Sequence, residues 1–335
     1  MDKDLNNEIS YGEFIKHITD SNTPFFINRW GGSDFNTCID YRENKIDLVY
    51  AINKISIWNG YYDISTDLNE RKINFEKYCN DLLNIYQSNI LNYNACQFVE
   101  KNTLYYNNYL NKLKYVNYHL LHESEHFYIF KYLLTNIFVG KKVLIISPFT
   151  DLISKQVDKL ENLYNIKIST DFVYLKTYIT YLNEDNFLYM NTPHKNFNET
   201  VNFYNEIINT IDFDFALLSC GTYAHFIGEH IKNIGKSSFY VGGILQFWFG
   251  IFGDAYFRPY FESWFNLNYC ELNKFDIIHS SKTLESCNTY LYNEYKYKNI
   301  LDDFDYKKDY LCKGLNETAA KIKFIIEKKP SIINF

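Results

Sequence analysis

The chain contains little proline and glycine for its size and has no cysteine pair of the kind that binds zinc. Only 5 prolines and 13 glycines occur in 335 residues, and no Pro-rich or low-complexity linker marks a domain boundary. The 7 cysteines are scattered, odd in number and without a CxxC pair. This distribution predicts reduced thiols rather than a disulfide framework or a zinc site.

Signatures of several other protein classes are also missing. The N-terminal segment MDKDLNNEIS is acidic and polar, and no apolar run approaches the length of a membrane span, so we expect a cytoplasmic protein without a transmembrane segment. The formal net charge of −6 argues against nucleic acid as a partner. Neither GxGxxG after a strand nor GxxxxGK[ST] is present, and we expect no NAD, haem or zinc cofactor.

Apolar residues are abundant, and their pattern predicts the fold. They make up 47% of the chain, with 32 Tyr and 28 Phe, which is enough for a large core. From residue 141 onward, strand and helix patterns alternate: strands at 141–149, 171–180, 214–220 and 237–243, and helices at 151–164, 198–211 and 222–235. This alternation predicts an α/β fold, Rossmann-like, with a mostly parallel sheet and helices on both faces.

The first 140 residues give a less regular pattern. PFFINRW (24–30) predicts a buried strand, and a helix with Ser33 or Asp34 as its N-cap is expected to follow. We predict a helix at 67–91, a strand at 95–101 and helix over 103–138. The whole is predicted to be a single α/β domain over 1–295, with a helical insertion at about 65–138. A C-terminal helical extension over 296–335 is expected to pack on it.

Four of the predicted strands end in distinctive turns, which read RWGGSD (29–34), SPFTD (147–151), SCGTY (219–223) and VGGILQ (241–246). The carboxyl ends of parallel strands lie at one edge of a sheet, where ligands bind in α/β folds. Glycine lets backbone N–H groups approach a ligand, and a helix N-terminus attracts an anion. The turns therefore predict a diphosphate site that needs no basic patch. The alternative for each glycine is a turn that simply requires positive φ.

Three blocks of the sequence resemble known glycosyltransferases. FDFALLSCGTYAHFIGEHIKNIGKSSFYVGGILQFWFGIFGD (213–254) resembles a block of a bacterial and viral polysaccharide-associated family, with its Cys-Gly-x-Tyr, Gly-Gly-x-x-Gln and Phe-Gly-Ile elements. GKKVLIISPFTDLISKQVDKL (140–160) resembles the upstream block of that family, with Pro148, Phe149 and Gln156 in matching places. NRWGGSDF (28–35) is similar to the N-terminal element of glycosyltransferases of the GT-D fold.

The resemblance implies a polysaccharide-biosynthesis enzyme that transfers a sugar from a nucleotide diphosphate sugar to a glycan acceptor. It also implies association with other glycan-assembly enzymes. GT-D enzymes carry an Asp-x-Glu motif that supports a divalent metal, Mn²⁺ or Mg²⁺, on the diphosphate. Here the matching residues are Gly32, Ser33 and Asp34, so the first acid is absent. Asp34 is the candidate metal ligand, although one carboxylate by itself binds such metals poorly.

Candidate catalytic residues are Asp34, Asp254 and His225, with Asp254 as the base that deprotonates the acceptor and His225 in proton transfer. Arg29 could clamp a phosphate or form a salt bridge, and Tyr223 could stack on a base or sugar or pack in the core. Arg258 could replace a basic phosphate partner that the family has near residue 254. The predicted nucleotide-sugar-binding residues are Arg29, Gly31, Gly32, Ser147, Pro148, Phe149, Gln156, Gly221, Thr222, Tyr223, Gly242, Gly243, Gln246 and Arg258.

Two other functions are compatible with the sequence. One is a SAM-dependent methyltransferase of sugars or small molecules, although the glycine-rich loop and the acidic ribose-binding residue of that class are not evident. The other is a non-catalytic Rossmann-like binding protein of a glycan-assembly pathway, which the missing first acid of the metal motif favours.

Overall fold

Eight parallel strands form one sheet in the part of the chain that the computed structural model describes, which comprises residues 8–9, 11–21, 23–30, 32–88, 91–94, 114–116, 125–178, 180 and 193–251. The strand order is β1-β4-β3-β2-β8-β7-β5-β6, and all neighbouring pairs are parallel. The strands are β1 Glu8–Ile9, β2 Phe26–Trp30, β3 Leu91–Asn94, β4 Lys114–Val116, β5 Lys142–Ser147, β6 Asp171–Lys176, β7 Phe215–Leu218 and β8 Ser237–Tyr240.

Helices cover both faces of this sheet. Their bounds are α1 Tyr11–Asp20, α2 Gly32–Arg42, α3 Leu48–Asn59, α4 Leu68–Ser88, α5 Glu125–Tyr132, α6 Thr150–Gln156, α7 Leu160–Tyr164, α8 Phe197–Ile208, α9 Tyr223–Asn233 and α10 Ile244–Trp248. A π-helical turn, Leu133–Ile137, continues α5, and a 3₁₀ turn, Val157–Lys159, joins α6 to α7. None of the described helices is both long enough and apolar enough to cross a membrane.

The side chains of the central strands alternate between two apolar cores. In β5, every residue after Lys142 is buried. Leu144 and Ile146 join the core on one face, and Val143 and Ile145 join the core on the other. We call the first face A, which α2, α3, α4, α8 and α9 cover, and the second face B, which α1, α5, α6, α7 and α10 cover. Because both faces are buried, the strand sequence is continuously apolar rather than alternating.

The helices that follow four neighbouring strands leave the sheet in alternating directions. The strands β2, β8, β7 and β5 lie side by side in that order. Helix α2 after β2 and helix α9 after β7 pack on face A, whereas α10 after β8 and α6 after β5 pack on face B. Where adjacent connections diverge in this way, a crevice opens beyond the carboxyl ends of the strands. In folds of this class, ligands bind at this edge of the sheet, which is where the sequence places its turns.

The structure confirms the predicted α/β class and most of the elements. The strands predicted at 24–30, 141–149, 171–180, 214–220 and 237–243 are β2, β5, β6, β7 and β8. The helices predicted at 67–91, 198–211 and 222–235 are α4, α8 and α9, and that at 151–164 is α6 to α7 with its 3₁₀ turn. Gly235, just past the end of α9, has φ +85° and ends the helix in the left-handed conformation.

Two local predictions are wrong. The segment 103–138 was expected to be helical, but Lys114–Val116 is a strand that pairs with β1 and β3. Within 65–138, the described strands Leu91–Asn94 and Lys114–Val116 therefore belong to the sheet. Sequence periodicity missed the three-residue strand Lys114–Val116 because so short a run carries no period. Asp151 stands at the start of the helix predicted over 151–164, where the sequence predicts it as the N-cap. In the structure α6 begins at Thr150, and the carboxylate of Asp151 pairs with Lys176 instead. The strand predicted at 95–101 and the extension at 296–335 lie outside the described residues.

Candidate functional site

The four predicted turns lie side by side at the carboxyl edge of the sheet. They follow β2, β8, β7 and β5, which are consecutive and parallel. The register places Phe26 of β2 beside Ser238 of β8, and Leu218 of β7 beside Tyr240 of β8. The turns at 29–34, 241–246, 219–223 and 147–151 are thus gathered at one edge, as the sequence predicts. We call this region the turn edge.

Arg29 reaches from the end of β2 to the turn after β8. Gly242 in that turn has φ +69°, and a Cβ built there would lie 1.7 Å from Nη1 of Arg29. Cζ of Arg29 lies 5.8 Å from the centroid of the Tyr240 ring, a cation–π arrangement. The guanidinium thus occupies the space that any side chain at 242 would need. Arg29 remains partly exposed, so a cation lies where β2 and β8 end, at the carboxyl edge of the sheet.

Backbone N–H groups in two of the turns are available to a ligand. Gly221, after β7, has φ +61° and is partly exposed, as is Gly243 after β8. The N–H groups of Gly221 and Gly243 have no acceptor within the described residues, whereas those of Thr222 and Gly242 bond to the carbonyls of Asn59 and Leu218. Neighbouring N–H groups without acceptors in such turns form an anion-binding concavity.

Asp34 and His225 are bonded to each other in the interior. Nε2 of His225 lies 2.9 Å from Oδ2 of Asp34, and both side chains are essentially unexposed. Oδ1 of Asp34 accepts the N–H of Phe35 at 2.8 Å, and Oδ2 also accepts from Nδ2 of Asn59 at 3.2 Å. The His225 ring is flanked by Tyr86 and Tyr240, at centroid distances of 5.3 Å and 4.9 Å. The two predicted catalytic groups are therefore linked, but neither reaches the surface.

Asn28 determines how the imidazole is protonated. Its Oδ1 accepts the N–H of Arg29 at 2.8 Å, and this bond identifies the amide oxygen, because an amide nitrogen there would face another donor. Nδ1 of His225 lies 2.7 Å from the same oxygen, so it carries a proton and donates it. One further proton then lies between Nε2 and the carboxyl group of Asp34. Whichever of the two atoms holds it, the buried pair has no net charge.

Asp34 does not fit a divalent cation in this arrangement. Both of its oxygens accept hydrogen bonds from protein groups, and the side chain is enclosed. Such cations prefer several oxygen ligands and open coordination positions. Within the described ranges, no three His, Cys, Asp or Glu side chains are grouped so that they could hold a metal ion. Asp34 also lies inside the first turn of α2 rather than at its N-cap, since the helix begins at Gly32.

Thr222 and Tyr223 face the core rather than the turn edge. Oγ1 of Thr222 is hydrogen-bonded to the hydroxyl of Tyr78 at 2.7 Å. The Tyr223 ring stacks on Phe197 at 4.6 Å and 24°, and burial raises the pKa of its hydroxyl well above the ordinary value. Tyr223 therefore packs in the core, which is the alternative to stacking on a ligand, and the whole residue is only 1% exposed.

The other predicted binding residues are buried, begin a helix or lie outside the described residues. The side chains of Ser147, Gln156 and Gln246 are buried, as are the residues Pro148 and Phe149. Oγ of Ser147 accepts the N–H of Phe149 and shapes the turn after β5. Gly32 begins α2. Gly31, Asp254 and Arg258 lie outside the described residues, so their predicted roles stay predictions.

Asn28 and Asn59 are residues that the sequence analysis missed. Asn59, at the end of α3, bonds to Asp34, to the Ser33 hydroxyl at 2.6 Å and, through its carbonyl, to the N–H of Thr222 at 2.7 Å. It thereby connects the beginnings of α2 and α9. A signal for Asn28 was available, because an amide inside the apolar run FFINRW has to find a partner when buried. No local pattern marks Asn59.

Comparisons with protein-family models, with curated proteins and with solved structures find no match to this chain. The class that the structure itself defines is a Rossmann-like α/β fold with a parallel sheet.

Proposed function

We propose that the protein is a glycosyltransferase that binds a nucleotide diphosphate sugar at the turn edge and transfers the sugar to a glycan acceptor. The observation that carries the proposal is the combination, at one edge of the sheet, of N–H groups at Gly221 and Gly243 with the guanidinium of Arg29. The resemblance of 213–254 to polysaccharide-associated glycosyltransferases supports the same assignment.

In this proposal the chain acts mainly by positioning and by stabilising the leaving diphosphate. Glycosyl transfer develops negative charge on the departing phosphate oxygens, and fixed N–H donors and an arginine stabilise that charge without reorganising. Arg29 supplies a planar pair of donors suited to a phosphate. The base that takes the proton of the acceptor hydroxyl is predicted to be Asp254, because His225 already donates and shares its protons inside the protein.

A thermal-shift panel tests the proposal. Ligands that bind the native state raise its melting temperature, and at 100 times Kd the stabilisation is about 2.7 kcal/mol, or roughly 5–10 °C. The panel contains UDP- and GDP-sugars, SAM and NAD, each with and without Mn²⁺. We expect stabilisation by at least one nucleotide diphosphate sugar. Stabilisation by SAM alone would favour a methyltransferase, and stabilisation by none of these compounds would contradict the proposal.

A matched pair of variants locates the binding site. Gly221→Val adds a branched side chain in the turn after β7, where φ is +61°, whereas Gly140→Val changes a glycine of similar conformation, φ +66°, that has nothing within 4 Å of a built Cβ. Both variants force a branched residue into positive φ. We expect both to lose some stability, and only Gly221→Val to lose the nucleotide-sugar shift. Equal shifts in the two variants would exclude the turn edge as the site.

A non-catalytic sugar-nucleotide-binding protein is the second candidate. The observation in its favour is that Asp34 and His225 are buried and bonded to each other rather than exposed for chemistry. Both candidates predict binding, so the distinction requires an assay of nucleoside diphosphate release in the presence of glycan acceptors. Binding without release would favour the second candidate.

A further inference from the structure

The buried pair offers an inference about the role of Asp34 that goes beyond the proposed function and, for its effect on ligand affinity, rests on it. We propose that Asp34 and His225 are positioning residues that hold together the two turns at the beginnings of α2 and α9, and that Asp34 does not ligate a metal. The pair is part of a continuous set of hydrogen bonds from Asn28 through His225, Asp34 and Asn59 to the Thr222 N–H.

The hydrogen bond between Asp34 and His225 connects the starts of two helices. Asp34 is in α2, two residues after its first residue, and His225 is in α9, two residues after its first. Their contact fixes the starts of the two helices relative to each other. Asn59 adds a second connection, because it bonds both to Asp34 and to the Thr222 N–H. The positions of the Arg29 backbone and the Gly221 turn follow from these bonds.

The carboxyl group of Asp34 already uses most of the hydrogen bonds that it can accept. A carboxylate accepts about four hydrogen bonds, and Asp34 uses three of them on Phe35, Asn59 and His225. A cation at Asp34 would have to displace His225, whose Nε2 would then lose its buried partner. Unpaired buried polar groups are costly, so the arrangement resists such an exchange.

An asparagine can replace Asp34 without leaving a buried group unpaired. With a neutral imidazole, Nε2 of His225 accepts from the amide nitrogen of the new residue, and the amide oxygen still accepts the Phe35 N–H. Asn59 then rotates its amide, so that its oxygen accepts the second N–H of the new residue. The Ser33 hydroxyl, which now donates to Asn59, accepts from the amide nitrogen of Asn59 instead. Asp34→Asn therefore preserves the connection but removes the carboxyl group.

The variants Asp34→Asn, Asp34→Leu and His225→Phe test the proposal. We expect Asp34→Asn to stay within about 3 °C of the parent, whereas each of the other two loses roughly 10 °C because the buried hydrogen-bonding groups that faced the replaced side chain lose their partner. The double variant Asp34→Leu/His225→Phe should lose less than the sum of the two single losses. An Asp34→Asn loss as large as that of Asp34→Leu would overturn the proposal.

Ligand measurements on the same variants separate positioning from metal binding. Nucleotide-sugar affinity and its response to Mn²⁺ should be unchanged within about twofold in Asp34→Asn, because the turns keep their positions. A metal ligand or catalytic base at Asp34 predicts the opposite, namely loss of the Mn²⁺ response or of turnover at unchanged melting temperature. That result would also overturn the proposal.

A spectroscopic measurement is independent of any ligand. In ¹⁵N-labelled protein, the ring N–H of His225 at Nδ1 should be a slowly exchanging resonance that is retained in Asp34→Asn and absent in His225→Phe. A His225 ring without a proton at Nδ1 would contradict the hydrogen-bond pattern. If no nucleotide sugar binds the parent protein, the glycosyltransferase proposal fails, while the melting temperatures and this resonance still decide whether the pair holds the turns.

Discussion

Replacement of Gly242 by alanine tests whether the turn edge depends on Arg29. The Cβ of an alanine would lie 1.7 Å from Nη1 and 3.0 Å from Cζ of Arg29, and the residue would have to keep φ +69°. Because Nη1 is the far end of a flexible side chain, we expect the guanidinium to move rather than the turn to unfold. The substitution therefore has two separable effects, one on the backbone and one on Arg29.

The two effects differ in size and in readout. An L-residue in the left-handed region costs about 1–2 kcal/mol, which lowers the melting temperature by roughly 2–8 °C. A displaced guanidinium loses a charge-assisted hydrogen bond to the ligand, which is worth about 1.5–3 kcal/mol. Affinity for a nucleotide diphosphate should therefore fall by roughly ten- to a hundredfold.

Gly235→Ala is the matched control. Gly235 has φ +85° and nothing within 4 Å of a built Cβ, so alanine there incurs only the backbone cost. Thermal denaturation should give similar losses for both variants, whereas titration calorimetry with a nucleoside diphosphate should show weaker binding for Gly242→Ala alone. In an Arg29→Ala background, Gly242→Ala should cost no further affinity. Full affinity in Gly242→Ala, or a loss that simply adds to that of Arg29→Ala, would refute the reasoning.

Three further predictions concern the core. Gly228→Ala should lower the free energy of unfolding in urea by about 1–3 kcal/mol, because its Cβ would lie 2.1 Å from the Phe26 ring; unchanged stability would contradict this packing. Burial raises the pKa of Tyr41 and Tyr174 from 10.0 to about 12. Above pH 10 the unfolded chain therefore releases protons that the folded chain keeps, and the free energy of unfolding should fall as the pH rises. Absorbance of tyrosinate should then rise at higher pH in folded than in unfolded protein, and identical titrations would exclude the shifts. Burial also raises the pKa of the Cys220 thiol. An alkylating reagent at pH 8 should therefore label Cys220 only after unfolding, as measured by peptide mass spectrometry. Rapid labelling of Cys220 in the native protein would refute its burial.

Much of the fold could be predicted from the sequence because its central strands are long and buried on both faces. In β5, five consecutive buried residues follow Lys142, and such runs between helical patterns identify parallel strands. The short strand β4, Lys114–Val116, could not be found in this way. Its position in the sheet depends on pairing with β1 and β3, which are distant in the chain.

The candidate site was predictable in its backbone and less so in its side chains. The glycines at 221 and 242 mark turns with positive φ, and their common edge follows from parallel strand order. Sequence also selected Asp34 and His225, but it could not show that they bond to each other, because 191 residues separate them. Partners such as Asn28 and Asn59 are set by tertiary packing, which no local pattern encodes.

Amide chemical shifts test the central claim most directly, namely that backbone N–H groups at the turn edge bind a diphosphate. In a ¹⁵N-labelled sample, a nucleotide diphosphate sugar should shift the amide resonances of Gly221 and Gly243 strongly downfield, since they have no other acceptor within the described residues. The amides of Thr222 and Gly242, which already bond to carbonyls, should move less. Saturating ligand that leaves the Gly221 and Gly243 resonances in place, or shifts only amides elsewhere, would contradict the account.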